Sequence, residues 1–157
     1  MCVITDRERG TVDVEKRRQQ IRDMRNRHHE TCPVCGTLSF CGLHAEFDVC
    51  EDGGVEASLV CGTTKDGYLN LVHGGVIASL LDGAMTNCLF SYGIAAVTGE
   101  MTTRMLHPVS AKAPVVVRAW LKKNRSPLYL LNAELHQDGH ISAKAKGKFV
   151  NKTYKRQ

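Results

Sequence analysis

Long hydrophobic runs are missing from this 157-residue sequence. No apolar stretch approaches the ~18 residues that cross a bilayer as a helix, so a membrane partner is not expected. The first ten residues, Met1 to Gly10, hold no apolar block of the kind that opens a secretory signal. The expected location is therefore cytoplasmic. Aromatic residues are scarce, at 6%, and nowhere interleave with basic ones, which argues against a base-stacking platform. An acidic excess is also lacking. The formal charge of +5 suits a phosphorylated ligand without specifying one, and nucleic acid is not an expected partner.

What is present reads as an ordinary globular chain. Hydrophobic content of 43% and charged content of 24% are enough for one domain with a real core and a small appendage. The seven cysteines are an odd number in a chain with no visible signal segment. They are expected as reduced thiols or metal ligands rather than bridges.

Residues 1–30 read as that appendage, a polar tail followed by a helix from about Thr11 to His29. Val14, Ile21 and Met24 form its thin apolar stripe. Asp13 and Glu15 stand in the first turn and Arg25, Arg27, His28 and His29 in the last, an order that suits the helix dipole. A solvated helix packed by one edge is expected. The domain proper, residues 31–157, opens with Cys32-Pro33-Val34-Cys35-Gly36, a turn of zinc-knuckle type. Cys41 and His44 would complete four tetrahedral ligands; a plain thiol pair in a tight turn is the simpler expectation.

Strand periodicity then takes over. Leu43, Ala45, Phe47 and Val49 alternate with polar residues up to Cys50 and predict a half-buried strand. Asp52-Gly53-Gly54 predicts a hairpin turn, with Val55, Ala57, Leu59 and Cys61 returning. Further along, four strands are expected: Val97–Pro108, Pro114–Lys123, Leu128–Gln137 and His140–Tyr154. In the first, Thr98, Glu100, Thr102 and Arg104 are expected on one face. In the last, Lys144, Lys146, Lys148 and Lys152 oppose Ile141, Ala143, Ala145 and Phe149, a solvated outer face that protects the sheet edge. Asp138-Gly139 is a two-residue hairpin signal. The fold class is α+β: a mostly antiparallel sheet against one helix.

That helix, expected from about Gly75 to Ser91, organises the rest. Val76, Ile77, Leu80, Leu81, Ala84, Met85, Cys88 and Leu89 make it apolar over most of its circumference, so it must be buried on several sides. It opens on His73-Gly74-Gly75, where glycines let a ligand approach the free N–H groups of a helix start. Asp82, two turns in, is its only carboxylate. A carboxylate among apolar neighbours is costly unless hydrogen-bonded or functional.

Three stretches together resemble the hotdog-fold acyl-CoA thioesterases, in the branch similar to the phenylacetate-degradation enzymes. They are Val72-His73-Gly74-Gly75-Val76-Ile77 with Asp82 at the family's spacing, Cys32-x-x-Cys35-Gly36 followed by Gly42-Leu43, and His107-Pro108-Val109 followed by Pro114 to Trp120. The resemblance implies a curved sheet wrapped around the central helix and hydrolysis of an acyl-CoA or aroyl-CoA thioester without metal or other cofactor. It makes Asp82 the general base or nucleophile and the Gly74 or Gly75 N–H the oxyanion hole. It puts His73 near the carbonyl and gives Thr98 the role of positioning water. It further implies a homodimer or homotetramer whose active sites are shared between subunits. Arg104, Lys122 and Lys123 are the candidates for the CoA phosphates. Where several relatives carry an asparagine, six residues before the histidine, this chain has Gly67. The alternative reading is a non-catalytic hotdog module that binds an acyl-CoA or another ligand.

Overall fold

A helix that is apolar nearly all round cannot sit on a surface, and here it does not. In a computed structural model, which describes residues 14–151, the central helix is buried almost without interruption from Leu80 to Ser91. The elements in chain order are α1 (Val14–His28), β1 (Asp48–Val49), β2 (Val55–Val60), a 3-10 turn at Thr63–Lys65, β3 (Asp66–Tyr68) and β4 (Leu71–Val72). They are followed by α2 (Gly74–Ser91), β5 (Val97–Met105), β6 (Pro114–Arg125), β7 (Leu128–Gln137) and β8 (His140–Val150). Six strands form one antiparallel sheet in the order β1-β2-β6-β7-β8-β5.

The sheet covers α2 with the apolar half of each strand. Val55 and Ala57, Val115, Val117 and Ala119, Leu131, Ala133 and Leu135, and Ala143, Ala145 and Phe149 are all buried. Lys144, Lys146 and Lys148 alternate with them and are exposed, so the lysine row lies on the outer face as expected; Lys152 lies outside the described residues. Asp138 and Gly139 carry φ of 51° and 80°, the left-handed pair that a two-residue hairpin requires. No helix among the described residues is long and apolar enough to cross a membrane.

Four features differ from, or add to, the reading of the sequence. From Leu43 to Cys50 the alternation holds in burial, with Ala45, Phe47 and Val49 inside, yet only Asp48 and Val49 join the ladder. The cause is visible upstream, where His44 has a positive φ of 49°. Burial periodicity and strand pairing are separate properties, and here only the first extends along the segment. The small β3–β4 hairpin had no counterpart in the strand pattern, being two or three residues per arm.

The third difference is the most consequential. The β5–β8 register shifts between Thr98 and Glu100: Thr98 stands opposite Phe149 and Glu100 opposite Lys148, so Gly99 is the extra residue of a bulge. Side chains paired across a ladder share a face. Thr98 therefore points inward with Phe149, while Glu100, Thr102 and Arg104 point outward with Lys148, Lys146 and Lys144. The single face expected for all four residues is corrected by that one inserted glycine.

Fourth, α1 is tied to the core by more than one apolar edge. Ile21 is buried, and so is Arg17, whose guanidinium donates to the Gly53 carbonyl at 2.8 Å, to the Ser91 carbonyl at 3.3 Å and to the Ser91 hydroxyl. It also stacks 3.9 Å from the centroid of the Tyr92 ring. A cation at the C-terminal end of α2 meets the negative end of that helix's dipole. Arg17 stands at helical spacing between Val14 and Ile21, on the face of the apolar stripe, and its burial goes unread in the sequence because an arginine has no apolar signature. Replacing it takes the charged donor from the Ser91 carbonyl and leaves the Gly53 carbonyl with the Tyr92 hydroxyl at 3.1 Å. Arg17→Ala is expected to lower the unfolding free energy by about 2–3 kcal/mol, measured by urea denaturation; an unchanged midpoint would show the tether to be dispensable.

Candidate active site

His73 ends an extended segment (φ −60°, ψ 135°) and caps α2 through its side chain. Its Nδ1 accepts the Gly75 N–H at 2.9 Å, and its carbonyl accepts the N–H groups of Val76 (2.9 Å) and Ile77 (3.2 Å). Of the donors that a helix start leaves open, the Gly74 N–H thus remains without a partner among the described residues. The two glycines are not equivalent: Gly75 is committed to the cap and Gly74 is available. Gly67 lies directly against this ring, where a Cβ would come within 3.1 Å of His73 Cδ2. A side chain at this position would require the ring to shift by a few tenths of an ångström.

Asp82 is half-buried on the same helix. The Thr98 hydroxyl, aimed inward by the bulge, donates to Asp82 Oδ1 at 2.6 Å. Burial pushes the Asp82 carboxyl above the usual carboxylate range. Thr98 pulls it back down, Cys32 adds to the rise and His29 opposes it. Such a carboxylate is poorly hydrated and is held through one oxygen.

Asp82 and Gly74 do not meet within one chain. Eight residues of α-helix rise about 12 Å, far more than the span of one reacting carbonyl. The phosphate candidates are also dispersed. Arg104 is on β5 but on the outer face, where with Thr102, Trp120, Asn132, Lys144 and Lys146 it lines a groove of about 290 Å³. Lys122 and Lys123 are exposed on β6, separated from β5 by β7 and β8, or about 14 Å at ordinary strand spacing. Of these three residues, only Arg104 shares an element with Thr98. A smaller cavity of about 210 Å³ lies between Pro33, Val34 and Leu43 on one side and Val76 and Ser79 of α2 on the other.

The Cys-x-x-Cys turn stands beside this helix, but not with the companions expected from spacing. Cys41 is exposed, with its carbonyl held by Lys65 Nζ at 2.8 Å. His44 is turned to the Gly36 carbonyl at 3.0 Å. The third member is instead His29, whose ring nitrogens and the sulfurs of Cys32 and Cys35 include donor atoms all within 4.8 Å of one another. The sequence pattern gives His29 to the last turn of the N-terminal helix and not to the cysteine pair. Cys32 is held well below the usual thiol range, chiefly by the hydrogen bond from Cys35; the same bond, together with burial, pushes Cys35 up.

Comparison with known proteins bears on the fold that carries these features. Residues 69–141 match the family model described as the thioesterase superfamily. A crystal structure of a thioesterase superfamily protein superposes with a TM-score of 0.72 at 20% identity, covering 92% of this chain and 81% of that one. The Escherichia coli PaaI protein from the phenylacetic acid degradation operon superposes with a TM-score of 0.74 at 19% identity, covering 88% and 95%. A hypothetical thioesterase from Streptococcus pneumoniae, solved with coenzyme A, gives 0.64 at 17% identity over 69% and 85%. Aspartate-to-alanine and threonine-to-alanine variants of that streptococcal protein have also been solved, at positions sixteen residues apart. No curated protein sequence matches. The superpositions show that this chain has the hotdog fold of these thioesterases, and residues 69–141 within it are similar to the thioesterase superfamily.

Proposed function

We propose that this chain hydrolyses a CoA thioester, acyl or aroyl, to the free acid and CoA, in a site assembled from two copies of the chain. The observation that carries the reading is the 2.6 Å bond from Thr98 to Asp82: a desolvated carboxylate, oriented through one oxygen, on a helix otherwise free of charge. In the general-base route, Asp82 Oδ2 takes a proton from water while the water oxygen adds to the thioester carbon. The carbonyl electrons move onto oxygen, where a Gly74 N–H at a helix start receives them. The C–S bond then breaks, and the CoA sulfur leaves with the proton. In the nucleophilic route, Oδ2 itself adds to the carbon, the C–S bond breaks to release the CoA thiolate, which takes a proton from solvent, and water then cleaves the resulting anhydride to the free acid and the Asp82 carboxylate. His73 holds the loop and is not the base.

The ~12 Å between Asp82 and Gly74 along one helix favours a site in which Asp82 of one copy faces Gly74 of the other, in a dimer or tetramer. β5 offers the surface. It is nine residues long, mostly exposed, and ends the sheet, the kind of open edge that pairs with a second chain. Arg104 on that strand is the proposed phosphate contact. The thioesterase-superfamily match supports the reaction class, and the CoA bound by the streptococcal protein supports the leaving group. The sixteen-residue spacing of that protein's substituted aspartate and threonine equals the spacing of Asp82 and Thr98, which favours the same pair here.

Purified protein is expected to release thiol from a panel of acyl- and aroyl-CoAs, and Asp82→Ala to lower kcat/KM by about 10²–10⁴-fold. Gly74→Pro keeps a residue that helix starts accept at this position and removes only the N–H. It is expected to cost about 10²–10³-fold in kcat. Equal rates for wild type and Asp82→Ala would sink the proposal, and CoA-ester binding with no thiol release would establish the ligand-binding alternative.

The active form is the carboxylate, so activity is lost as pH falls through the folded-state pKa of Asp82. Burial places that acid limb above the ordinary carboxylate range. Thr98→Val removes the lowering bond and is expected to move the limb higher still, with a loss of about tenfold or more at neutral pH. A limb that stays put would remove Thr98 from the site. Linkage gives the companion result. A raised carboxyl favours the fold when protonated and disfavours it when charged. Asp82→Asn is therefore expected to stabilise the fold at neutral pH, with the gain fading as pH falls through the folded pKa; chemical denaturation at two pH values reads it.

A further inference from the structure

We propose that His29, Cys32 and Cys35 form a three-donor site for a thiophilic divalent cation, with Zn²⁺ the ion it fits. One donor atom from each lies within 4.8 Å of the other two. Cys35 Sγ and His29 Nδ1 are 3.7 Å apart. Zinc bound tetrahedrally, with Zn–S near 2.3 Å and Zn–N near 2.05 Å, separates its sulfur and nitrogen ligands by about 3.6 Å. The pair therefore stands close to ligand spacing before any ion is added.

The backbone holds the donors there. The Cys32 N–H donates to the His29 carbonyl at 3.1 Å, and the Gly36 N–H donates to the Cys32 carbonyl at 2.9 Å. The Leu38 N–H closes the loop on the Glu30 carbonyl, also at 2.9 Å. The turn is so tight that a Cβ at Gly36 would lie 2.5 Å from the Cys32 nitrogen and from the Glu30 carbonyl oxygen. His29 is fixed from behind, its ring edge-on to Phe90 at 4.9 Å and 85°.

Donor chemistry and charge agree. Two thiolates and a neutral imidazole are a soft set that selects zinc over magnesium or calcium, and with Zn²⁺ they sum to zero charge. A neutral unit is what a half-buried site accepts at low cost. A disulfide between Cys32 and Cys35 would use the two sulfurs but gives no role to His29, whose Nδ1 faces Cys35.

Three protein ligands leave a fourth tetrahedral position for water. The site would also connect the end of α1 to the segment carrying Val34. That side chain fills the space a Cβ on Gly83 would need, at 2.6 Å, next to Asp82. The ion would thus brace a wall of the helix, and the proposal stands whether or not Asp82 is catalytic.

The test uses the full chain, reduced and stripped with a chelator, then titrated with Zn²⁺ and with Co²⁺. One equivalent is expected, with a thiolate-to-cobalt charge-transfer band and the intense visible bands of tetrahedral Co²⁺. Zinc should also raise the Tm and protect two thiols from alkylation. His29→Ala, at a half-exposed position, is expected to weaken binding on the order of a hundredfold or more, beyond the ~10–100-fold that losing a supporting contact costs. Cys35→Ser should do the same, and Cys41→Ser and His44→Ala should leave affinity unchanged. Substoichiometric metal, cobalt spectra without charge transfer, or unaltered affinity in His29→Ala would each overturn the proposal. So would a reduced chain that binds no zinc and reoxidises to a Cys32–Cys35 disulfide.

Discussion

One carboxylate on a helix that must be buried is the constraint from which the site follows. Ordinary packing explains why α2 lies inside the curve of the sheet: its apolar residues have nowhere else to go. Asp82 is carried along with them and loses much of its hydration. The fold meets that cost with the single Thr98 bond, and Thr98 reaches Asp82 only because Gly99 adds a residue to β5. Removal of that bulge would turn Thr98 to the outer face with Glu100 and leave the carboxylate unoriented.

Helix geometry sets the second condition. The open N–H at Gly74 and the carboxylate of Asp82 lie at successive levels of one rigid rod, too far apart to serve one thioester. Under the proposed function, an oxyanion donor and a base about 12 Å apart would serve one thioester only across a boundary between copies. The exposed β5 edge, adjacent to Thr98, is where the chain offers such a boundary. The capping role of His73 belongs to the same logic, since it occupies the Gly75 N–H and leaves Gly74 as the free donor.

Much of this was legible in the amino-acid order, for identifiable reasons. Apolar period and turn residues located α2, the four strands after it and the Asp138-Gly139 hairpin, because burial on one face repeats in sequence. Asp82 announced itself by being the one charge in an apolar helix. The bulge at Gly99 was not legible, since one inserted residue changes facing without changing composition; it moved Arg104 to the outer face while leaving Thr98 within. Arg17 was hidden for a related reason: its partners are carbonyls at Gly53 and Ser91, remote in the chain. His29 was read as the last turn of a solvated helix, and only three dimensions bring it to Cys32 and Cys35.

The central claim is that Asp82 and Gly74 act on one thioester from different copies of the chain. Mixing two inactive variants, Asp82→Ala and Gly74→Pro, under conditions that let subunits exchange tests it most directly. Half of the re-formed dimers are mixed, and each of these holds one site with both groups intact. The account predicts recovery of thioester hydrolysis to about a quarter of the wild-type rate for a twofold pair. A mixture that stays as inactive as its parents, with exchange demonstrated, would place both groups in one chain or remove one of them from the chemistry, and would contradict the account.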